Sequence, residues 1–185
     1  MFDGLLEPGT LVLIGIVLII AVYLYFLDKK TKNDTAAALC KTYAVMTEEL
    51  LASVPDDQVV QAVAANLLNK QDKKHPDPAL QLSLLSRGRA AVYSVFLLCR
   101  ELETQDFSAL VKTPSYRYAE PAVDGLERIG ATNSATALRA AIRTAGDETP
   151  LWEAVTTVFR EAIAAEKPLE LCVKYIRENP DEFID

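Results

Sequence analysis

The sequence predicts an all-α protein, with one N-terminal transmembrane helix followed by a compact cytosolic domain of about seven helices. Three observations predict it. From Pro8 to Leu27 run 20 residues without a charge, about the length a helix needs to cross a hydrocarbon core of roughly 30 Å. From Asn33 onward, apolar residues recur at three- and four-residue steps in an Ala-, Leu- and Glu-rich background, the period of an amphipathic helix. The same stretch holds no convincing alternating pattern and no Asn-Gly or Asp-Gly hairpin signal.

The apolar run, LVLIGIVLIIAVYLYFL at its densest, explains a slightly positive mean hydropathy of +0.11 in a chain that is 24% charged. In lipid its backbone polar groups must bond within the segment, so the β-branched run is helical there. Tyr23 and Tyr25 are placed as interfacial anchors. Asp3 and Glu7 precede the run, while Lys29, Lys30 and Lys32 follow it. The positive-inside rule therefore orients the N-terminus outward and the domain to the cytoplasm of an inner-membrane protein. An acidic start and a long apolar run argue against a cleaved signal peptide. The expected organisation is a short extracytoplasmic N-terminus at 1–8, a span at 9–27, a basic linker at 28–34 and a helical domain at 35–185. Cys40, Cys99 and Cys172 are odd in number and sit in helical apolar patterns, so they read as reduced core residues.

Along the domain, a first helix runs from a cap at Asp34 or Thr35 to Ser53, with Leu39, Cys40, Tyr43, Met46, Leu50 and Leu51 on one face and Pro55 as its breaker. A second begins at Asp56 and Asp57, which favour its N-terminal dipole, and ends in the solvated loop NKQDKKHPDP. A third region covers Ala79 to Glu103, with a break near Ser86 and Gly88. Asp106 to Tyr118 reads as irregular. Glu120 to Ile129 then stops at Gly130, a left-handed cap. Thr132 or Asn133 starts the next helix, which ends at Ala145-Gly146. Pro150 and Pro168 open the last two, the final one ending before Asn179-Pro180.

Net charge is −7, and it is uneven. Residues 145–185 hold 10 acidic and 4 basic side chains, whereas 33–144 hold 13 and 12. No basic cluster opposes this field, so direct nucleic-acid binding is not expected. The single histidine, His75, lies in a polar loop, which leaves no multi-histidine metal site. The domain glycines are isolated, so there is no phosphate-cradling loop, and there is no nucleophile elbow. Carboxylates at Glu101, Glu103 and Asp106, and at Asp124 and Glu127, leave an Asp/Glu-only hydrolase or transferase site as an alternative to plain solvated surface. Arg87, Arg89 and Arg100 read as stems over the core with wet heads. Tyr116, Tyr118 and Trp152 read as core lids.

Three blocks resemble one family: AVYSVFLLCRELETQDF (Ala91 to Phe107), AVDGLERIGA (Ala122 to Ala131) and the ending from Tyr175 to Phe183. The resemblance is to the DUF4375 family, the domain of the bacterial DNA-mimic protein DMP19. Where that family has an Asn-Gly-Gly-Phe turn, this chain has Thr104, Gln105, Asp106 and Phe107. The resemblance implies an all-helical fold and no known enzymatic activity for most members. For one member it implies carboxylates presented at DNA-phosphate-like spacing to a DNA-binding regulator.

The expectation is a non-enzymatic protein-interaction module without a cofactor or metal. It contacts the lipid bilayer through the N-terminal helix and a protein partner through Glu170, Glu178, Asp181 and Glu182. Self-association is left open, although Gly9, Gly15 and Ala21, spaced at six, complete no small-xxx-small pair in the span.

Overall fold

The computed structural model describes residues 35–70, 78–146 and 151–185. Every regular element among them is helical. None of the described helices is long and apolar enough to cross a membrane. The predicted span at 9–27, its basic linker at 28–34 and His75 lie outside the described residues. Residues 35–42 are helical, and Thr42–Asp185 forms one compact unit, described below.

The predicted single helix from 35 to 53 is two. After residue 42 the chain turns, and α1 (Glu48–Ser53) starts afresh at Thr47, whose side chain accepts from the Leu50 N–H at 3.2 Å. The break has a long-range cause. Asn66 donates its amide to the Tyr43 carbonyl at 2.9 Å, and Met46 exchanges bonds with Asp185: its N–H reaches Oδ2 at 2.8 Å and its carbonyl accepts the Asp185 N–H at 2.8 Å. Backbone groups that a continuing helix would bond internally are taken by the Asn66 side chain and by the side chain and backbone of Asp185. Val54, extended at φ −71°, ψ 129° as a residue before proline prefers, then turns the chain into α2 (Asp56–Lys70).

The predicted third region breaks where expected, near Ser86, into two helices. α3 (Pro78–Ser83) is short, and α4 (Arg87–Thr104) begins at Ser86, whose hydroxyl accepts from the Arg89 N–H at 3.1 Å. The stretch expected to be irregular contains α5 (Phe107–Leu110) and a 3-10 turn at Pro114–Tyr118. There follow α6 (Ala119–Arg128), α7 (Thr132–Thr144), α8 (Trp152–Glu166) and α9 (Pro168–Glu178), with a closing 3-10 turn at Pro180–Glu182. Gly130 adopts φ +87° between α6 and α7, as its cap position requires. Lys167 takes the same left-handed region, φ 49°, between α8 and α9.

Helix α4 is the axis of the core. Val92, Val95 and Leu98 on it are fully or almost fully buried, and α2, α6 and α9 pack around it. The approach of α6 is close because position 125 is glycine: a Cβ there would stand 2.8 Å from the Ala91 carbonyl oxygen. Tyr93 and Tyr118 meet edge to face with centroids 5.8 Å apart, so Tyr118 is a core lid as expected. Cys99 and Cys172 are buried, and burial pushes the Cys99 thiol up to about 12, with the nearby Glu103 charge adding to it. Both read as inert packing groups.

Three acidic residues of the C-terminal segment act inside the fold. Glu182 accepts from the Gly88 N–H at 2.6 Å and the Tyr175 hydroxyl at 2.8 Å, while its backbone carbonyl accepts from the Ser86 hydroxyl at 2.8 Å. It satisfies the first turn of α4 from the other end of the chain. Glu166 does the same for α7, taking the Asn133 N–H at 2.9 Å and the Ser134 N–H and hydroxyl at 2.7 Å each. Asp185 receives Arg89 at 2.8 Å, Asn66 at 3.1 Å, the Met46 N–H and the Lys70 ammonium. Arg89 is therefore not a stem with a wet head: its guanidinium also holds the Phe183 and Ile184 carbonyls at 2.7 Å each. Arg177 ties α9 to the α1–α2 corner through the Leu51 carbonyl at 2.6 Å, the Val54 carbonyl at 2.5 Å and the Asp56 carboxylate at 2.8 Å.

Two carboxyls of the C-terminal segment are held below their usual range. For Asp185 burial opposes ionisation, but Lys70, the Met46 N–H, Asn66 and Arg89 together outweigh it. For Glu166 burial is again outweighed, by the Ser134 hydroxyl and the Ser134 and Asn133 N–H groups. A depressed carboxyl stabilises the fold above its unfolded pKa, about 4 for these groups, and that stability is lost as pH falls toward the folded value.

Three outcomes are expected. The urea midpoint falls as pH is lowered from 5 to 3, and the combined Asp185→Asn, Glu166→Gln variant shows a shallower fall. Glu182→Ala costs about 1–2 kcal/mol in the same measurement, since it strips a cap from α4, whereas Glu178→Ala changes stability by less than about 0.5 kcal/mol. Gly125→Ala lowers the melting temperature, because the collision with the Ala91 backbone, typically about 1–3 kcal/mol for overpacking, exceeds the gain of about 1 kcal/mol in helix propensity.

Candidate functional site

The family-motif turn is a structural joint. Thr104 ends α4, and Gln105 follows it, with its amide on the Glu101 carboxylate at 2.6 Å. Asp106 caps α5 by accepting from the Ala109 N–H at 2.9 Å and the Ser108 hydroxyl at 2.7 Å. The Ser108 hydroxyl and the Ala109 N–H are the main reasons its carboxyl lies below the ordinary range. Phe107 is fully buried edge to face against Phe159, centroids 5.4 Å apart, and its N–H donates to the Thr156 hydroxyl at 3.3 Å. Arg160 reaches the Gln105 carbonyl at 3.1 Å. The turn is held by an aspartate cap at one end and a phenylalanine plug against α8.

The carboxylates proposed from sequence as an Asp/Glu-only site are dispersed in role. Glu101 accepts from Gln105 and from the Ser115 hydroxyl at 2.9 Å, Asp106 is the α5 cap, and Glu103 is exposed. On α6, Glu127 pairs with Arg139 at 2.6 Å. Among the described residues no group of three or more His, Cys, Asp or Glu side chains is arranged to hold a metal ion.

The four acidic contacts expected from sequence do not share one environment. Glu182 is engaged inside the fold, as described. Glu170 and Glu178 stand one and three turns along α9, largely exposed, in ion pairs with Lys167 at 3.0 Å and Lys174 at 3.8 Å. Asp181 is exposed in the closing 3-10 turn.

Sequence reasoning missed a groove that α2 and α9 form over α4. Val60, Phe96, Leu169 and Val173 line it with apolar surface, and Asp56, Asp57, Gln61 and Glu170 complete its wall, enclosing about 480 Å³. That volume lies within the roughly 300–1,000 Å³ of typical ligand pockets. Two of the carboxylates are paired with cations outside the lining, Asp56 with Arg177 and Glu170 with Lys167, and both remain more than 70% exposed. The groove escapes a linear reading because its walls are more than 100 residues apart. Of the residues singled out from sequence as contacts, it contains Glu170 alone.

A family model described as DMP19-like protein matches residues 83–179. No curated protein and no solved structure matches the chain. The matched stretch includes α4 through α9 almost entire: the central helix, the joint at Thr104 to Phe107, the Glu166 cap and the α9 wall of the groove. With more than half of its residues under that match, the chain belongs to the DMP19-like protein family.

Proposed function

We propose that this chain is a non-enzymatic protein-interaction module whose acidic C-terminal helices receive a protein partner. The observation that carries the reading is the display of carboxylates along α8, α9 and the closing turn. Glu153, Glu161, Glu170, Glu178 and Asp181 are all exposed there. The cations interspersed with them are engaged: Lys167 and Lys174 pair with Glu170 and Glu178, Arg177 holds the α1–α2 corner, and Arg160 holds the joint after α4. A surface of this sign attracts basic protein faces and repels nucleic acid.

Family membership favours a second reading, in which these carboxylates stand in for DNA phosphates before a DNA-binding regulator. Against a broad mimic surface stands the use of Glu166, Glu182 and Asp185 inside the fold, which leaves fewer charges outside than the composition suggests. The apolar run from Leu11 to Leu27 supports, on sequence grounds, a tether that holds the module at a membrane.

In-cell crosslinking of the tagged full-length chain, followed by mass spectrometry, tests the reading. A stoichiometric protein partner is expected, and its recovery drops when Glu153, Glu161 and Asp181 are changed together to Gln, Gln and Asn. Displacement of that partner by DNA selects the mimic reading. Turnover of a substrate by the purified chain would overturn both.

A further inference from the structure

We propose that the groove between α2 and α9 binds a basic amphipathic helix of a partner protein, with the helix's aliphatic face on Val60, Phe96, Leu169 and Val173 and its cations beside Asp57 and Glu170. This rests on the protein-interaction reading and adds to its charged surface a distinct place where one helix of the partner is seated.

The shape argument begins with spacing. Asp57 and Gln61 on α2 are four residues apart, as are Leu169 and Val173 on α9. Each pair is a ridge of side chains along one helix face, and all four line the cavity. Two such ridges flanking an apolar floor leave the groove into which the side-chain ridge of a third helix packs. Phe96 closes the bottom from α4 and is partly accessible there.

Charge selects the occupant. The lining holds three carboxylates and no cation; Asp56 and Glu170 are paired with Arg177 and Lys167 beside it, which leaves Asp57 as the carboxylate to be met. Asp57 makes no ion pair among the described residues, and it sits in the first turn of α2. A neutral helix laid over this wall would strip water from Asp57 without giving it a partner, which is costly. An anionic ligand would be repelled. A helix with Lys or Arg flanking its aliphatic stripe satisfies both the floor and the rim. Because the rim charges are exposed, the cationic part of the affinity is screened by salt while the apolar part persists.

The probe is an 18-residue Leu/Lys amphipathic helix carrying photoreactive leucine, compared with a scrambled peptide of the same composition and charge. Each is irradiated with the full-length chain, and crosslinks are mapped by mass spectrometry. Crosslinks are expected at 57–61 and 169–173. Gln61→Lys, an exposed position whose added cation opposes the probe, should cut their yield at least fivefold, and Val173→Asn should do so by removing apolar floor. The scrambled peptide should crosslink at least fivefold less. Circular dichroism melting confirms that each variant is folded. Neutralising Glu153 and Glu161 on α8 should leave the yield within twofold. Crosslinks scattered over other acidic surface, equal yields from the scrambled peptide, or indifference to both groove variants would overturn the proposal. If the cellular partner survives Gln61→Lys and Val173→Asn, the groove inference falls and the interaction module stands; if no partner crosslinks at all, the module reading itself falls.

Discussion

The fold depends on satisfying the start of its central helix. Helix α4 is surrounded by α2, α6 and α9, and its first turn, like that of any helix, exposes N–H groups that have no partner within the helix. Here that turn lies beneath the chain's last residues. Ser86 supplies a local cap, but Gly88 bonds to Glu182, 94 residues away, and the Arg89 side chain reaches 94 to 96 residues to Phe183, Ile184 and Asp185. Gly88 is glycine for a matching reason: a Cβ there would stand 2.6 Å from the Glu182 carboxylate oxygen that performs the cap. The same tail then fixes the Met46 backbone and, through Asn66, the turn before α1. Each group left unpaired in such a network costs the desolvation of that group, and among the described residues the buried Arg89 Nε–H is left without a partner. The ends of the compact unit are thus locked to its axis.

That lock changes what the acidity of the C-terminal segment means. Composition counts every carboxylate as surface, but Glu166, Glu182 and Asp185 point inward, as acceptors for helix N-termini and for cations. The remaining exposed carboxylates are spaced along α8 and α9 with lysines between them, so the field they make is local. Long-range attraction of a basic partner falls off within a Debye length, about 8 Å at physiological salt. A partner that relied on charge alone would be held weakly. Specific affinity has to come from a place where charge and apolar surface coincide, and the α2–α9 groove is where the described residues bring them together.

What was legible in the sequence was local chemistry. The breaks at Pro55, Ser86, Gly130 and Pro168 follow from residue type, since proline lacks an N–H, serine caps and glycine tolerates a left-handed φ, and they fall where expected. Burial of Cys99 and Cys172 followed from periodicity. The break at Tyr43 to Thr47 was not legible, because its causes are Asn66 and Asp185. Arg89 looked like its neighbours Arg87 and Arg100, and only the folded tail distinguishes it. Likewise Phe107 was visible as a motif residue, but Thr156, Phe159 and Arg160, which give the motif its form without glycine, lie about 50 residues further on.

The joint at Thr104 to Phe107 connects the family match to the proposed interaction surface. Phe107 and Gln105 bind α8, so the joint fixes where α8 lies against the end of α4. Helix α8 in turn passes through the left-handed Lys167 directly into α9, with Pro168 setting the first turn of that helix. Arg177 at the far end of α9 is tied to the corner between α1 and α2. The α9 wall of the groove is therefore held at both ends, once through the motif joint and once through Arg177, while α2 is held by its packing on α4. A groove whose walls are fixed this way needs little ordering before it binds, and pre-organisation of that kind reduces the entropy cost of association. In the proposed interaction the motif residues thus shape recognition without touching a partner, by setting the position of the helices that line the groove.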